Sequence, residues 1–298
     1  ALAAGLGVGE LRRPGRRAGA VALILGTGLW ARHLDQGSLP AEEHDPPPAA
    51  WTAALVHATG CEAASTCGRV LGLGWALQPN TGALVGLRDV RGYDLPVHRG
   101  TWALENAVSH PARGPWFQVD ALPPLGLLRA LGVRAVVTPP DVVLDLPQID
   151  VGPAPVTVWA VKGAAPRAFI ASGVQRVQGP RAALAELGAS FDVGVVPVEV
   201  NIPTSSAPGA RAGAPLRPVP FTEDGPARLV FDVSSEQSGL LVVSESWRSG
   251  WRARVDGQPV TVHRVGGALC GVVLPTGAAS VVLFYRPDGW IWGQWAFG

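Results

Sequence analysis

Residues 251–265 read WRARVDGQPVTVHRV, and their pattern is the clearest structural signal in the chain. Apolar and polar residues alternate before Asp256-Gly257 and again after it, which is typical of strands with one buried face. Asp-Gly is a turn signal for a two-residue hairpin, because glycine adopts positive φ without steric cost. The stretch therefore predicts a β-hairpin, in which the simplest role of Asp256 is to set the turn.

Further short strands follow the same period on either side of the hairpin. Gly266-Gly267 and residues 275–277 (PTG) mark two more turns. The predicted strands are residues 228–233, 239–244, 251–255, 260–265, 269–274 and 280–285. Short strands with tight turns between them predict an antiparallel, immunoglobulin-like β-sandwich over residues 226–288.

Upstream, residues 51–202 mix helical and strand patterns. LGLLRAL at 125–131 predicts a helix that ends at Gly132 and leads into a buried strand, 133–138. The other predicted elements are helices at 51–59 and 180–187 and strands at 69–74, 83–90, 156–161, 168–171 and 193–201. We expect a small mixed α/β domain here, joined to the sandwich by a Pro- and Gly-rich linker at 203–225, so that the fold class is α+β.

Both ends of the chain carry features of membrane segments. An apolar run, residues 18–31, follows a loop with four arginines and carries Trp30 near its other end, which fits the positive-inside rule and the aromatic belt. It is shorter than the roughly 20 residues of a span, so a buried core helix is the alternative. WIWGQWAFG at 290–298 is uncharged and carries three tryptophans. We predict truncated transmembrane helices at both ends: span remnants with a cytoplasmic arginine loop (1–34), a linker (35–50) and the start of a C-terminal span (289–298).

Composition excludes some classes of function. The formal net charge is +1, which gives no overall field to attract nucleic acid. The six histidines show no ligand spacing, so the sequence predicts no metal site, and it carries no recognisable cofactor motif. Cys61 and Cys67 are close enough for a small disulfide loop in an oxidising compartment, whereas Cys270 on an apolar strand is expected to be a free, buried thiol.

Two groups of residues are candidates for substrate binding. Asp89, Arg91, Tyr93 and Asp94 crowd into the segment DVRGYD, where carboxylates and an arginine beside an aromatic ring suit a sugar. A salt-bridged turn around Gly92 is the simpler interpretation of the same segment.

The second group is Trp247 and Trp251, which flank a turn with a glycine. Flat indoles serve as platforms for sugars, but the same apolar faces also pack in the core of a sandwich. Both interpretations follow from the sequence, and no catalytic residue is assigned.

The C-terminal part of the chain resembles a known family. SESWRSGWRARVDGQPVTVHRVGGALCGVVLPTGAASVVLFYRPDGWIWG is similar to the C-terminal signature of YfhO-type bacterial membrane proteins. The residues in register are Trp247, Gly250, Trp251, Val255, Asp256, Gly257, Pro259, Val260, Gly271, Val272, Leu274, Pro275, Gly277, Tyr285, Arg286 and Pro287. Upstream, RVLGLGWALQPNTGALVGLRDVRGYD, LLRALGVRAVVT and APRAFIASG resemble further elements of the family, in family order; Ala135 departs from the aromatic residue that is common there.

The resemblance implies a function for the parent protein. The family is associated with GT-C-type glycosyltransferases, which transfer sugar from a polyprenyl-phosphate donor to a cell-envelope polymer. The chain would then be the extracytoplasmic region of an enzyme in the bacterial cell membrane, in an accessory or acceptor-binding role. Its expected partners are the lipid bilayer, the lipid-linked sugar and the envelope glycopolymer, with no nucleic acid. The alternative is a non-catalytic carbohydrate-binding or structural ectodomain.

Overall fold

One strand of the protein, Gly239–Ser246, has apolar residues buried on both of its faces. Leu240 and Val242 belong to one hydrophobic core, and Leu241 and Val243 belong to another. The run GLLVV does not alternate, because each face of the strand meets a different layer of the molecule. The computed structural model describes residues 50–63, 65–78, 81–91, 119–191, 195–199, 216–223, 227–234 and 238–287.

The N-terminal part of the described chain forms a mixed sheet, sheet A, with strand order β2-β1-β3-β5-β4. Its strands are β1 (Arg69–Gly72), β2 (Arg88–Asp89), β3 (Val133–Thr138), β4 (Gln148–Ile149) and β5 (Thr157–Ala160). β1 pairs in parallel with β2 and β3, whereas β5 runs antiparallel to its neighbours. Helix α1 (Ala50–Thr59), a 3₁₀ helix (Thr81–Val85) and helix α2 (Leu125–Ala130) belong to the same part of the chain.

The central sheet, sheet B, draws strands from both halves of the described chain in the order β7-β8-β15-β16-β12-β6-β9. Its members are β6 (Ala168–Ile170), β7 (Gly173–Val177), β8 (Val195–Glu199), β9 (Arg217–Pro218), β12 (Gly239–Ser246), β15 (Val262–Val265) and β16 (Leu269–Leu274). Helix α3 (Gly179–Ser190) connects the parallel strands β7 and β8.

The third sheet, sheet C, is antiparallel throughout and has the order β10-β11-β17-β13-β14. Its strands are β10 (Phe221–Glu223), β11 (Arg228–Asp232), β13 (Trp251–Val255), β14 (Gln258–Val260) and β17 (Ser280–Tyr285). β13 and β14 form the predicted hairpin, with φ of +46° at Asp256 and +83° at Gly257, as a type I′ turn requires.

The three sheets share two large cores. Sheets B and C pack face to face, with Phe231 and Leu283 of sheet C against Leu241 and Val272 of sheet B. The other face of sheet B packs against α2, α3 and sheet A. A smaller cluster lies between α1 and sheet A. The described chain is therefore mostly β, in layers consistent with a β-sandwich whose second face is covered by helices.

The helices α2 and α3 meet through glycine. A Cβ added to Gly126 would lie 1.9 Å from the carbonyl oxygen of Gly188, so only glycine fits at this position. The close approach places Leu127 and Leu187 in the same core as β12. Residues of the helix predicted at 125–131, such as Gly126 and Leu127, thus also take part in long-range packing.

Several predicted elements differ from the structure. The predicted strand at 83–90 is a 3₁₀ helix followed by the two-residue β2. The predicted strand at 260–265 is divided: the chain leaves sheet C after Val260 and enters sheet B at Val262. Inside the stretch expected to be a linker, β9 and β10 are short strands.

Sheet B also contains strands from both sides of that stretch. β6 lies before it and β12 after it, yet they are hydrogen-bonded neighbours. A short apolar strand needs a neighbour that hydrogen-bonds to its edge. When the two segments are far apart in the chain, the sequence does not specify which strand is that neighbour. The expected membrane remnants, the 35–50 linker up to residue 49 and the run after Gly289 lie outside the described residues. In the described part, no helix has the length and apolar character needed to cross a bilayer.

Candidate functional site

Asp89 and Arg91 form a buried ion pair at the end of β2. Arg91 Nη2 lies 2.7 Å from Asp89 Oδ2, and Arg91 Nε lies 3.0 Å from Oδ1. Arg91 Nη2 also donates to the Leu77 carbonyl at 2.6 Å. The two side chains are only 2% and 5% exposed, and their bonded atoms tie the segment together, whereas Arg91 Nη1 is buried with no hydrogen-bond partner among the described residues. Tyr93 and Asp94 lie outside the described residues.

Trp247 lies half-buried at the edge of the core between sheets B and C. Its Nε1 donates to the Val262 carbonyl at 3.2 Å. The guanidinium of Arg264 lies 5.2 Å from the ring centre, within the range of a cation–π contact. Glu199 accepts from Arg264 Nε at 2.7 Å and fixes it there. One indole face is therefore partly covered by a paired arginine.

Trp251 closes the end of the same core from the first position of β13. Its Nε1 donates to the Ser246 carbonyl at 3.0 Å. Its ring packs edge-on against Tyr285, its partner in the ladder, with centroids 5.4 Å apart. A Cβ added to Gly250 would lie 2.7 Å from the Tyr285 ring. The aromatic pair is thus a packed corner of sheet C in which both residues are only partly buried.

A chain of ion pairs joins the three sheets. Arg167, just before β6, pairs with Glu245 of β12 at 2.8 Å and with Glu223 of β10. Glu223 also accepts from Arg88 of β2 at 2.7 Å. Arg69 of β1 donates to the Ser244 side chain and carbonyl, beside Glu245. Sequence reasoning missed this cluster, because its members are scattered along the chain.

Burial and neighbouring charges shift the pKa values of three members of the cluster. Burial raises the pKa of Glu223, but the hydrogen bonds and charges of Arg167 and Arg88 outweigh burial and hold it below its ordinary value. Burial lowers the pKa of Arg167, but Glu245 and Glu223 more than offset this and raise it. Glu223 and Arg167 therefore favour their charged forms, whereas burial lowers the pKa of Arg69, and such a cluster suits a structural junction better than proton transfer.

The outer face of sheet C carries a cleft of about 410 Å³. Arg252 and Arg254 project from β13 on the side opposite the buried Ala253. Phe284, the ladder partner of Arg252, lies on the same face, because directly paired residues share a side of the sheet. Arg286 follows β17 and completes the arginine lining. This basic cleft was not predicted, although the alternation in WRARV implied that both arginines share a face.

Cysteines and metal ligands add no reactive centre in the described part. Cys61 and Cys67 are joined by a disulfide. Cys270 is a buried thiol, and burial raises its pKa, so it stays protonated. Among the described residues, no three histidine, cysteine or acidic side chains are grouped so that they could bind a metal ion.

A comparison with protein families now assigns this part of the chain. Residues 220–295 match the family of the bacterial membrane protein YfhO. The C-terminal quarter of the chain is similar to proteins of the YfhO type. Within this YfhO region lie sheet C, the half-buried Trp247 and Trp251, and the arginine cleft, whereas Asp89 and Arg91 lie outside it.

Comparisons with solved structures also cover only part of the chain. The chain is similar to the arabinofuranosyltransferase AftD from Mycobacteria, with 30% identity and a TM-score of 0.24. The similarity covers 30% of this chain and 7% of AftD. A mutant of AftD matches at 29% identity with a TM-score of 0.25, over 30% of this chain and 8% of its own length. None of the curated proteins matches.

Proposed function

We propose that the chain is the extracytoplasmic region of a bacterial membrane glycosyltransferase that uses a polyprenyl-phosphate sugar. The observation that carries the proposal is the YfhO match at residues 220–295, since that family consists of bacterial membrane proteins and its resemblance implies sugar transfer. The uncharged, tryptophan-rich run at 290–298 supports a membrane entry directly after sheet C. The polymer of the cell envelope is the proposed acceptor.

Within that enzyme, we propose an accessory role for this region. A general acid or base needs a carboxyl group that reaches the reacting atoms. Several carboxylates of the described residues are instead held by arginines: Asp89 by Arg91, Glu199 by Arg264, and Glu223 and Glu245 by Arg167. This pairing supports placing the chemistry elsewhere in the parent protein. We further propose that the sandwich of sheets B and C is immunoglobulin-like, supported by its face-to-face packing and antiparallel hairpins.

For acceptor binding, we propose Trp251 ahead of the other sequence candidates. Trp251 and its neighbour Tyr285 are both only partly buried, and they leave aromatic surface at the end of sheet C on which a sugar ring can stack through its apolar face. Trp247 is a second contact. Asp89 and Arg91 are weaker candidates, because both side chains are buried and bonded to each other.

The test is sugar transfer in membranes that contain the full-length protein. The donor is a polyprenyl-phosphate-linked sugar, and the readout is its incorporation into envelope glycopolymer. We expect Trp251→Ala to lower kcat/KM by about tenfold, the scale of one lost aromatic stacking contact. The control is Trp75→Ala, since Trp75 is 62% exposed and lies outside the YfhO region; it should leave transfer unchanged. Absence of transfer by wild-type membranes refutes the transferase proposal.

A carbohydrate-binding or structural ectodomain is the second candidate. The same arginine-held carboxylates favour it, because they stabilise a scaffold and leave sugar contact to the aromatic rings. Retention of envelope glycopolymer by the 298-residue chain, together with no transfer by wild-type membranes, selects this candidate. Transfer by wild-type membranes selects the enzyme.

A further inference from the structure

The outer face of sheet C is strongly basic around its cleft. Arg252, Arg254 and Arg286 line it, together with Phe284, Pro259 and Pro287, and none of the described lining residues is acidic. The inner face of the same strands is apolar and packs on sheet B. Alternation along β13 therefore places apolar side chains on the core-facing side and arginines on the outer side. Packing in the core accounts for the apolar side only.

Hydrogen bonds to backbone carbonyls hold this arrangement in place. The Arg286 N–H donates to the Gly250 carbonyl at 2.7 Å, which fixes the residue after β17 beside the start of β13. Arg254 Nη1 donates to the Gly257 carbonyl at 3.0 Å across the hairpin turn. Arg252 Nη1 also donates to the Ser249 and Trp251 carbonyls, so all three arginines are anchored at or beside the hairpin of β13 and β14.

The chemistry of the cleft suits a phosphate group. A guanidinium presents its N–H donors in a planar fork that matches phosphate oxygens, and it binds phosphate better than a lysine does. Phe284, between Arg252 and the ladder position of Arg228, adds an apolar floor. Paired carboxylates on the inner side, such as Glu223 with Arg167, point to the junction of the sheets rather than to the cleft.

The position of the cleft in the chain indicates the source of the phosphate. Arg286 and Pro287 stand only a few residues before the tryptophans at 290, 292 and 295, in a run without charge up to residue 298. Basic residues next to a membrane segment are attracted to anionic lipid headgroups. A half-open cleft lined by several arginines suits a layer of headgroups better than one enclosed small molecule.

We propose that the arginine cleft of sheet C binds the phosphodiester headgroups of anionic phospholipids and so seats this sheet on the membrane surface. The inference rests on the membrane location in the proposed function, but not on sugar transfer. Arg252, Arg254 and Arg286 contact the headgroups, and Phe284 lies against them. No covalent step is involved.

The experiment measures binding of the 298-residue chain to lipid vesicles by co-sedimentation. One set of vesicles is phosphatidylcholine alone, and the other contains about one quarter phosphatidylglycerol. Binding to the neutral set reports the apolar tails, so the readout is the gain in affinity that phosphatidylglycerol gives. Each arginine near an anionic surface contributes roughly fivefold. For the Arg252→Gln/Arg254→Gln/Arg286→Gln variant, we expect the increase in affinity caused by phosphatidylglycerol to be at least about tenfold smaller than for the wild type.

A second triple variant separates the cleft from bulk charge. Lys162, Arg176 and Arg181 are exposed and lie outside sheet C, so their replacement by glutamine removes the same charge elsewhere. For this control, we expect the increase in affinity caused by phosphatidylglycerol to fall by less than about twofold. Equal losses in both triple variants, or no gain from phosphatidylglycerol in the wild type, overturn the proposal. Unchanged thermal unfolding of the cleft variant checks that the sheet remains folded.

Free phosphate provides the last arm. Inorganic phosphate at about 10 mM, compared with sodium chloride of equal ionic strength, should leave the gain within about twofold, because a headgroup layer presents many phosphates at once. Release by phosphate but not by chloride assigns the cleft to a soluble phosphate ligand and overturns the lipid assignment. Sugar transfer is not measured here, so failure of this test leaves the transferase proposal standing.

Discussion

Sheets B and C are built from strands of similar length but use their two faces differently. In β12 of sheet B, successive residues such as Leu241 and Val242 are both fully buried, each in a different core. In β13 of sheet C, the buried Ala253 lies between Arg252 and Arg254, which face outward. A sheet covered on both sides can only support the fold, whereas a sheet with one free face can also bind a partner. The difference explains why the basic cleft lies on sheet C.

The largest effect should come from the doubly covered strand. Leu241→Ala removes a fully buried side chain between sheets B and C and leaves a cavity, which lowers the free energy of unfolding by about 3 kcal/mol. The matched control is Val282→Ala on the outer side of β17, where the side chain is only half-buried, and its cost should stay below about 1 kcal/mol. Chemical denaturation measures both, and similar costs for the two would show that sheet C is covered on its outer face as well.

The junction between the sheets should come next. Arg167→Met removes the shared partner of Glu223 and Glu245 and leaves two carboxylates without their cation. Removal of one partner from a buried pair costs several kcal/mol. Because the glutamates are about a quarter to a third exposed, we expect about 2 kcal/mol by denaturant unfolding. Arg181→Met, on the exposed side of α3, is the control and should change little. A loss at Arg167 no larger than in this control would mean that the ion pairs do not hold the sheets together.

Acid should weaken the same junction. The pKa of Glu223 lies below its ordinary value of 4.5 in the folded protein, so its contribution is complete above that pH and is lost as pH falls through the lower folded value. Glu223→Gln should therefore reduce the loss of Tm between neutral pH and about pH 3, by an amount equivalent to less than about 1 kcal/mol. Thermal unfolding at a series of pH values measures this. An identical pH profile for the variant would contradict the assignment of Glu223 to the acid response.

The smallest effect should come from the open face. Arg254→Gln changes an exposed side chain, and the free energy of unfolding should shift by less than about 0.5 kcal/mol. Its inward neighbour gives the contrast: Ala253→Leu forces extra volume into the core and should cost about 1 to 3 kcal/mol. Thermal unfolding of the two adjacent variants compares the faces directly. A large loss at Arg254 would show that the cleft is part of the scaffold and not a binding surface.

Much of the local structure followed from sequence pattern. The helices at α1, α2 and α3 and strands such as β3, β13 and β17 lie where the pattern predicts them, within a few residues. The segment 83–90 was predicted wrongly, because its short apolar run does not distinguish a strand from a 3₁₀ turn. The division of 258–265 between two sheets was missed for a related reason: one alternating run can belong to two ladders when the chain bends between them.

The candidate site was predictable only in part. DVRGYD and the two tryptophans stood out by residue type, and the ion pair of Asp89 with Arg91 fits the salt-bridged turn that the sequence allowed. The junction of Arg167 with Glu223 and the arginine cleft did not stand out. Their members come from strands that are far apart in sequence or from ordinary surface positions.

The periods, the turns and the resemblance to the YfhO type could be read from the sequence, because each depends on neighbouring residues. Asp256-Gly257 makes its hairpin through local φ preferences alone. Tertiary structure alone decided that β6 lies beside β12, and that Arg69 reaches Ser244 across 175 positions. Such contacts depend on which apolar faces cover one another when the chain collapses, and no local pattern encodes that choice.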